Sequence, residues 1–487
     1  MTAIPILIFW GLAFWGLFGR IHVLLYLFFA SMPFGAFAVI PSQLTGGLTL
    51  TPTPMILLLL ILRTITAPGG LHFFSTLALS PTRLLWLFIF WLVAIYTTAF
   101  MPRLFGGEVT IIPVHLQLYT EGELLWPTSQ NFSQLAYLSI SVFAVFAFTR
   151  ILRDENTRQH SLAAMCLGGA MAVLTGLLDY LNQYIPLNPL LDPFRTATYN
   201  LLTEVQVAGG KRVVGLMPEA SVYGIRCLMF LSLLYFFRHA MTDRWLRERV
   251  VPALIFLLIL FIWLSTSSAS YVGLIVFFLL AVIEWSQRKA SRRISSFGRK
   301  GLGAEFWTAW TALIGIGLVI LFAPSMLDPI INNFNEMVVN KSQSSSFEER
   351  NMWTAVGWQA LIDTWGLGVG LGGTRTSNSL AAILSNTGLL GGFLYLSFAF
   401  QTLMRKLSTR SNEISNAMMS GARYAYIPPF AVGLLISTTP DFGSYNSFLY
   451  GIALAVILTT SNKISQSAHP FNAGTLQARH AHGDSPL

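Results

Sequence analysis

Four charged residues lie in polar connections between long apolar runs, and their side chains are suited to phosphate chemistry. They are Arg212, Arg350, Arg375 and Glu219. The planar guanidinium group of arginine forms bidentate hydrogen bonds with phosphate oxygens and stays charged. Three arginines could therefore hold a diphosphate without a metal ion. Contact with lipid headgroups or a surface ion pair would also explain each arginine taken alone.

Glu219 follows Pro218 at the start of an apolar run. Proline in the first turn and a carboxylate near the positive end of the helix dipole are both typical of a helix start. A carboxylate at the edge of hydrocarbon is costly, however, unless it faces protein, water or a cation. A structural role and a functional role both stay open for Glu219, and Arg212 is the partner we expect for it.

The elements that must position these residues are membrane helices. Of 487 residues, 54% are hydrophobic and 10% are charged, and the mean hydropathy is +0.61. A helix needs roughly 20 mostly apolar residues to cross the hydrocarbon layer. We therefore predict an all-α polytopic membrane protein with about twelve or thirteen crossings. The predicted spans are 4–18, 22–40, 54–66, 84–100, 135–152, 162–181, 220–240, 251–264, 269–285, 306–322, 379–404, 426–438 and 448–460.

The formal charge of +9 is concentrated in four arginine-rich connections, which the positive-inside rule places in the cytoplasm. They are 150–158, 238–249, 288–300 and 405–423. The intervening connections then face the opposite side, and these are 101–134, 182–219 and 323–378. Arg20 and the parity of the count put Met1 on that side too, unless one run does not cross.

Residues 1–461 form one predicted transmembrane domain, and 462–487 form a predicted disordered cytoplasmic tail. The first run is expected to be a retained helix.

Cys166 and Cys227 lie in apolar runs, which indicates neither a disulfide framework nor a metal site. The outward connections lack a cluster of histidines and carboxylates, so we expect no metal and no other cofactor. The basic patch 288–300 lacks the interleaved aromatic residues, and the chain the soluble domain, that would hold a nucleic acid, so we expect no nucleic-acid partner.

The connection 323–378 has the most unusual sequence in the chain. Apolar residues recur with a helical period from Trp353 to Thr364, which predicts an amphipathic helix on the membrane surface. A glycine-rich run follows at 365–373. Glycines permit close approach of the backbone to a ligand, but a flexible loop would have the same composition. The spacing does not match a Walker nucleotide-binding motif.

Three sequence motifs occur in the outward connections and at the helix starts that follow them. The first is R-V-V-G-L-M-P-E-A-S at 212–221. The second is R-N-M-W at 350–353, followed by G-L-G-V-G at 366–370. The third is S-N at 377–378, followed after nine residues by G-L-L-G at 388–391.

Together these motifs resemble the membrane glycosyltransferase family of O-antigen polymerases and O-antigen ligases. The E-x-S ending of the first motif is most similar to exopolysaccharide polymerases. The third motif departs from the family pattern, because Ser377 stands where the ligases carry a histidine that is thought to activate the acceptor. The resemblance therefore favours the polymerase branch. It implies a GT-C-type fold in which 323–378 is a large periplasmic loop that contains the interfacial helix.

The resemblance implies that the protein polymerises a polysaccharide at the periplasmic side of a bacterial inner membrane. The growing glycan would move from undecaprenyl diphosphate to the non-reducing end of another lipid-linked repeat unit. Donor, acceptor and membrane lipids are the expected partners, with a chain-length-regulating co-polymerase as a further one. We expect Arg212 and Arg350 to hold the diphosphate, and Glu219 either to accept the hydroxyl proton or to orient Arg212. The expected substrate-binding residues are Lys211, Trp353, Arg375, Ser377 and Asn378.

Two of these residues have an alternative role. Trp353 could pack against a sugar face or anchor the interfacial helix, and Asn378 could orient sugar hydroxyls or the loop backbone.

Other functions also stay open. A ligase would transfer the glycan to lipid A core or to a protein, and a structural assembly protein would tolerate loss of Arg212 and Glu219. A transporter or flippase would typically show paired halves and broken helices, but the sequence has no convincing internal repeat, and Arg226 is the main charge inside a span.

Overall fold

The computed structural model consists almost entirely of helices packed side by side. It describes residues 3–40, 49–114, 122–207, 210–290, 345–407 and 412–467, with scattered positions between 302 and 321. The predicted all-helical class is confirmed. The helices are α1 (Ala3–Phe18), α2 (Ile21–Ser31), α3 (Pro52–Thr66), α4 (Gly70–Ala78), α5 (Leu85–Leu104), α6 (Ser129–Ile151), α7 (Glu155–Leu181), α8 (Asn188–Leu191), α9 (Ala220–Phe237), α10 (Val251–Leu264), α11 (Ser268–Ala290), α12 (Ser345–Asp363), α13 (Ser379–Met404), α14 (Glu413–Ile436) and α15 (Gly443–Ser467).

Two small antiparallel hairpins lie in the connections. β1 (Thr110–Ile111) pairs with β2 (Glu123–Leu124), and β3 (Gln206–Val207) pairs with β4 (Gly210–Lys211). Each strand has two residues, so the hairpins close loops and form no extended sheet. β4 leads directly into Arg212, and the second hairpin therefore sets where the first sequence motif begins.

Six helices are long and apolar enough to cross a membrane within the described part of the chain. They are α5, α6, α7, α9, α11 and α13. A 3₁₀ turn extends α9 to Ala240. The bent pair of α3 and α4 would be a seventh if it is one span. α1, α2 and α10 have 16, 11 and 14 residues, which is short for a perpendicular crossing. The described residues thus contain fewer such helices than the twelve or thirteen crossings predicted for the whole chain, and the predicted span 306–322 lies mostly outside them.

The predicted span 22–40 is wrong in its second half. α2 ends at Ser31, and Pro33 follows. Proline has no backbone N–H and disfavours helical backbone in the residue before it, so the helix stops there. The chain continues as a loop that contacts the segment before α9, where the backbone N–H of Ala36 donates to the carbonyl of Leu216 at 2.9 Å.

The described residues of the four arginine-rich connections, with the helix ends next to them, lie at one end of the helix bundle, termed here the basic end. Hydrogen bonds and ion pairs join them: Gln159 to Ala240, Arg238 to Glu284, and Tyr424 to Gln287. Arg423 in turn donates to the carbonyl of Arg405. This shared location is what the positive-inside rule requires of loops on one side of a membrane.

The described residues of the intervening connections lie at the opposite end, termed the motif end because the motifs at 212–221, 350–353 and 377–378 lie there. The backbone N–H of Arg375 donates to the carbonyl of Ile112 at 2.8 Å, which joins two of these connections. A continuous hydrophobic core runs between the two ends. In it α15 packs against α6, α2 against α7, and α9 against both α10 and α14.

Some predicted segments lie outside the described residues. Most of the predicted span 306–322 lies outside them, and so does the whole beginning of the large loop, 323–344. α15 continues to Ser467, past position 462 where the tail is predicted to begin. No glycine or proline occurs between 452 and 467 to end the helix. The rest of the predicted tail, 468–487, is outside the described residues.

Candidate functional site at the motif end

Arg212, Glu219, Arg350 and Arg375 come from separate parts of the fold. Arg212 follows β4, Glu219 immediately precedes α9, Arg350 lies on α12, and Arg375 lies between the glycine-rich run and α13. All four side chains are half-buried. Their positions depend on contacts between segments that are distant in sequence.

The charges of Glu219 and Arg350 shift the pKa values of Arg212 and Arg375. Burial lowers the pKa of Arg212, whereas Glu219 raises it and Arg350 lowers it further. Burial also lowers the pKa of Arg375, which Glu349 raises, Arg350 lowers and Glu219 raises. Such pairwise effects require charges that lie near one another. The structure therefore brings the three arginines together with Glu219, as an arginine cluster that also includes Glu349.

The turn between α10 and α11 orients the side chain of Arg212. Nε donates to Thr266 Oγ1 at 2.9 Å and to the carbonyl of Ser265 at 3.2 Å, and Nη2 donates to the carbonyl of Thr266 at 2.9 Å. Thr266 has a φ of 43°, a left-handed conformation that costs a non-glycine residue of order 1–3 kcal/mol. Arg212 thus stabilises a strained turn, and its Nη1 makes no hydrogen bond within the described residues.

Asp179, at the end of α7, holds the backbone of the first motif. Its Oδ2 accepts the N–H groups of Val214 at 2.7 Å and Gly215 at 3.0 Å, and its Oδ1 accepts from Arg195 Nη2 at 2.9 Å. Gly215 has a φ of +61°, and a Cβ there would lie 2.9 Å from the ring of Tyr223, so the position needs glycine. Sequence reasoning missed this role of Asp179. The available signal was a carboxylate next to an apolar run, which needs a partner.

Glu219 is the N-cap residue of α9, which confirms the predicted helix start. Its carboxylate makes no capping hydrogen bond to the helix, and Oε1 accepts the hydroxyl of Ser221 instead. Among the described residues no ion pair joins Glu219 to Arg212. Ser265 and Thr266 orient Arg212 instead, and the proton-accepting role of Glu219 stays a prediction.

Arg375 stacks on Trp353. The guanidinium carbon lies 3.8 Å from the centre of the indole ring, well within the roughly 6 Å range of cation–π contacts. The indole Nε1 is buried and makes no hydrogen bond to any described residue. Trp353 therefore provides a platform for Arg375, a role that neither the predicted sugar contact nor the predicted membrane anchor included.

Arg350 and Trp353 lie three residues apart on α12, so they share a face of the helix. The predicted interfacial helix is confirmed as a helix, and it begins earlier than predicted, at Ser345. Thr354 links it to the chain before α13, because its Oγ1 donates to the carbonyl of Arg350 at 3.0 Å and accepts from the N–H of Ser377 at 3.2 Å. Within the described part of the chain the guanidinium group of Arg350 makes no hydrogen bond and no ion pair.

Ser377 and Asn378 hydrogen-bond to backbone groups. Asn378 caps α13, because its Oδ1 accepts the N–H groups of Leu380 at 2.9 Å and Ala381 at 3.1 Å. Its Nδ2 donates to the carbonyl of Leu434 at 2.8 Å, and the buried Ser377 hydroxyl donates to that of Leu435 at 3.1 Å. Both residues thus attach the start of α13 to α14. Contact of either side chain with substrate stays a prediction.

The glycine-rich run is a loop that is buried from Gly368 to Gly373, whereas Trp365 and Leu367 before that stretch are exposed. Its glycines with φ values of 80°, 83°, 82° and 72° are Gly366, Gly368, Gly370 and Gly372. A Cβ on Gly370 would lie 2.9 Å from the carbonyl oxygen of Thr97, and one on Gly372 would lie 2.6 Å from that of Gln130. The close approach that glycine permits is therefore to α5 and α6.

α13 is broken at Gly388, whose φ of 73° and ψ of 177° are not helical. A break in a helix frees carbonyl groups, which must find other donors at membrane depth. The glycine-rich run supplies them: the N–H of Val369 donates to Ser385 at 2.8 Å and that of Gly370 to Asn386 at 3.0 Å. Protein backbone fills the gap, so packing explains this broken helix without a transport pathway.

Lys211 and Arg226 differ in how their charges are matched. Lys211 Nζ lies 3.0 Å from a carboxylate oxygen of Glu204 and 3.9 Å from one of Asp179. Its predicted substrate contact would compete with these ion pairs. Arg226 lies about two turns beyond the start of α9, and its guanidinium has the sulfur of Met229, at 3.6 Å, as its hydrogen-bond partner among the described residues. An arginine without a carboxylate partner inside an apolar helix is unusual.

No protein-family model matches this chain, and no curated protein sequence matches it. Its function is therefore inferred from the residues at the motif end. They provide three cations, two carboxylates and an aromatic platform at one end of a bundle of apolar helices.

Proposed function

We propose that this protein is a polysaccharide polymerase of the bacterial inner membrane, with a GT-C-type fold. It transfers a growing glycan from undecaprenyl diphosphate to the non-reducing end of another lipid-linked repeat unit. The observation that carries this proposal is that Arg212 and Arg375 each lie within electrostatic reach of Arg350 and of Glu219. Three arginines against Glu219 and Glu349 leave an excess of positive charge, which suits a diphosphate.

The location of the arginine cluster supports a periplasmic reaction. The cluster lies at the motif end, away from the four arginine-rich connections. The positive-inside rule assigns those connections to the cytoplasm, so the motif end faces the periplasm. The connection that contains α12 is then the large periplasmic loop.

The transfer step uses the diphosphate as an activated leaving group. The acceptor hydroxyl attacks the anomeric carbon of the donor glycan, and the bond from that carbon to the phosphate oxygen breaks. Undecaprenyl diphosphate leaves with the bonding electron pair, and the hydroxyl proton passes to the carboxylate of Glu219. The protein has to stabilise negative charge on the departing phosphate and align the acceptor.

The three arginines of the cluster differ in the contacts that hold their side chains. Arg212 is preorganised by the turn at Ser265 and Thr266 and retains Nη1 for a phosphate oxygen. Arg350 is the second donor, and Arg375, held against Trp353, is the third. Preorganised donors stabilise a developing charge without reorganising during the reaction, and removing one typically costs about 10²–10³ in rate. Lys211, Ser377 and Asn378 position the loops that carry these arginines.

The nearest alternative is a ligase that transfers the glycan to lipid A core or to a protein. Ser377 weakens it, because the hydroxyl donates to the carbonyl of Leu435 and cannot replace a histidine base. A transporter or flippase of lipid-linked oligosaccharide is the alternative of another class. Arg226 is the observation that favours it, since an unmatched charge inside a helix can mark a transport path.

A reaction with one defined lipid-linked repeat unit as the single sugar substrate tests the proposal. A polymerase produces a ladder of longer lipid-linked glycans without a second acceptor. We expect Glu219→Gln and Arg350→Ala to lower the rate of ladder formation by about 10²-fold or more. An absolute requirement for lipid A core would indicate a ligase instead, and lipid translocation without a ladder would indicate a transporter.

Arg103→Ala is the matched control. Arg103 lies at the same end of the bundle, at the end of α5, where its exposed side chain donates to the carbonyl of Ala99 in its own helix. We expect this variant to keep nearly all activity. An equal loss in Arg103→Ala and Arg350→Ala would show that any lost positive charge lowers the rate, and it would contradict the assigned role of Arg350.

A further inference from the structure

A second group of arginines surrounds a cavity of about 370 Å³ at the basic end. The charged and polar residues that line it are His72, Thr76, Arg83, Arg150 and Arg153. None of the described residues in its lining is acidic. We term it the basic-end pocket.

The pocket lies where lipid headgroups would meet the protein. Arg83 precedes α5 and Arg150 is near the end of α6, and both helices are candidate membrane spans. α4 is bent 103° from α3, so it runs across the end of the bundle. Leu71 on α4 and Leu79, the residue after it, are each 70% exposed, which is typical of a helix in the membrane interface.

The arginines of the pocket differ in the contacts that their guanidinium groups make. Arg150 fixes the corner between α3 and α4, because it donates to the carbonyls of Thr64 at 2.8 Å and Pro68 at 2.6 Å. Arg153 stacks over the ring of Phe73 at 5.4 Å. Within the described residues the guanidinium groups of Arg83 and Arg153 make no hydrogen bond and no ion pair. Two guanidinium groups are therefore available to a ligand.

Other arginines at the basic end are neutralised by carboxylates. Arg288 Nε lies 2.7 Å from Glu284 Oε1, and Arg238 Nη2 lies 2.8 Å from Glu305 Oε1. That cluster contains two arginines and two glutamates, so its charges balance. Among the described residues, no carboxylate lines the basic-end pocket. Asp154, the residue after Arg153, is engaged elsewhere, since its Oδ2 accepts from the N–H of Thr157 at 2.8 Å.

We propose that the basic-end pocket binds a phosphate-bearing group at the level of the lipid headgroups. The guanidinium forks of Arg83 and Arg153 suit phosphate oxygens, and basic pockets between membrane helices are recognised sites for anionic headgroups. The phosphate could belong to an anionic lipid or to a soluble diphosphate. This site is at the opposite end from the arginine cluster, so it is independent of the proposed transfer reaction.

Binding by the purified full-length protein tests the proposal in two arms. In the first arm, nanodiscs are prepared from mixtures of phosphatidylglycerol and phosphatidylcholine, and the phosphatidylglycerol retained on the protein is counted by native mass spectrometry. In the second arm, inorganic pyrophosphate is titrated into protein in phosphatidylcholine nanodiscs. Arg83→Gln and Arg153→Gln are the test variants, and thermal unfolding checks that each one folds. Arg249→Gln removes an exposed arginine at the same end, outside the pocket, and is the control.

We expect each test variant to weaken binding about five-fold, in line with one arginine at a charged surface, and the control to leave binding unchanged. Loss of phosphatidylglycerol identifies a lipid ligand, and loss of pyrophosphate binding identifies a soluble one. Either result supports a phosphate site. The proposal is overturned if neither arm depends on Arg83 and Arg153, or if Arg249→Gln weakens binding equally.

Discussion

Asp179 and Arg195 form a buried ion pair of 2.9 Å beneath the loop that carries Arg212. The Asp179 side chain is fully buried, and that of Arg195 is 9% exposed. The same carboxylate accepts the N–H groups of Val214 and Gly215. A structural ion pair is thus directly connected to the backbone next to the proposed diphosphate-binding arginine.

Asp179→Asn should be strongly destabilising. The amide oxygen can still accept the loop N–H groups, but the charge of Arg195 is left buried and uncompensated. Breaking one partner of such a pair typically costs about 3–5 kcal/mol. Thermal unfolding in detergent measures the change. The double variant Asp179→Asn, Arg195→Gln should recover much of the lost stability, and equal instability of the single and double variants would contradict this account.

Trp353 should affect the reaction through Arg375. Trp353→Ala removes the platform under the guanidinium group, and a contact worth about 0.5–2 kcal/mol corresponds to a loss of up to about 30-fold in kcat/KM for the lipid-linked donor. Trp353→Phe keeps an aromatic face and should retain most of the activity. Steady-state kinetics of ladder formation provide the measurement. If both variants lose the same activity, the indole ring has another role, such as packing.

Arg212→Lys separates charge from geometry. A lysine keeps the positive charge, but its three N–H donors share one nitrogen, so it lacks the planar fork that holds the Ser265–Thr266 turn through Nε and Nη2 and leaves Nη1 for phosphate. We expect about a 10²-fold lower rate, measured per folded molecule. Thr266→Gly is the companion variant, because glycine tolerates the φ of 43° and both carbonyl acceptors remain. It should stay within about ten-fold of wild-type activity. A wild-type rate in Arg212→Lys would exclude the proposed role.

Gly370→Ala should disrupt the packing of the glycine-rich run. Alanine would adopt a φ of 82° with its Cβ 2.9 Å from the carbonyl oxygen of Thr97. Gly443→Ala is a matched control, since it has a similar φ of 74° and no atom within 4 Å of its Cβ. The control should lose about 1–3 kcal/mol from backbone strain, and Gly370→Ala should lose more. Similar unfolding temperatures would show that the contact with α5 is unimportant.

The predicted spans 220–240 and 379–404 agree closely with the helices found there. Long apolar runs predict helices well, because a backbone inside a membrane has to satisfy its own hydrogen bonds. The prediction fails at 22–40, where apolar residues continue past Pro33 although the helix does not. It also omits α4, because a short helix across the end of the bundle has no long apolar run.

The candidate site was predictable in part. Arginines and a glutamate in the connections predicted to face outward indicated an anion site, and the structure places Arg212 and Arg375 within electrostatic reach of both Arg350 and Glu219. The roles of their neighbours were not predictable. Thr266 orients Arg212 across 54 positions of sequence, and composition does not reveal such a pair.

The sequence by itself determined that the chain is helical, that much of it is apolar enough for a membrane, and which connections share the positive charge. Hydropathy and charge act through the solvation of each segment, so they can be inferred from residues adjacent in the chain. The tertiary structure alone decided that the glycine-rich run fills the break in α13 and that Asp179 holds the first motif. These outcomes depend on hydrogen bonds and close contacts between distant segments, and such contacts form only when the whole bundle packs.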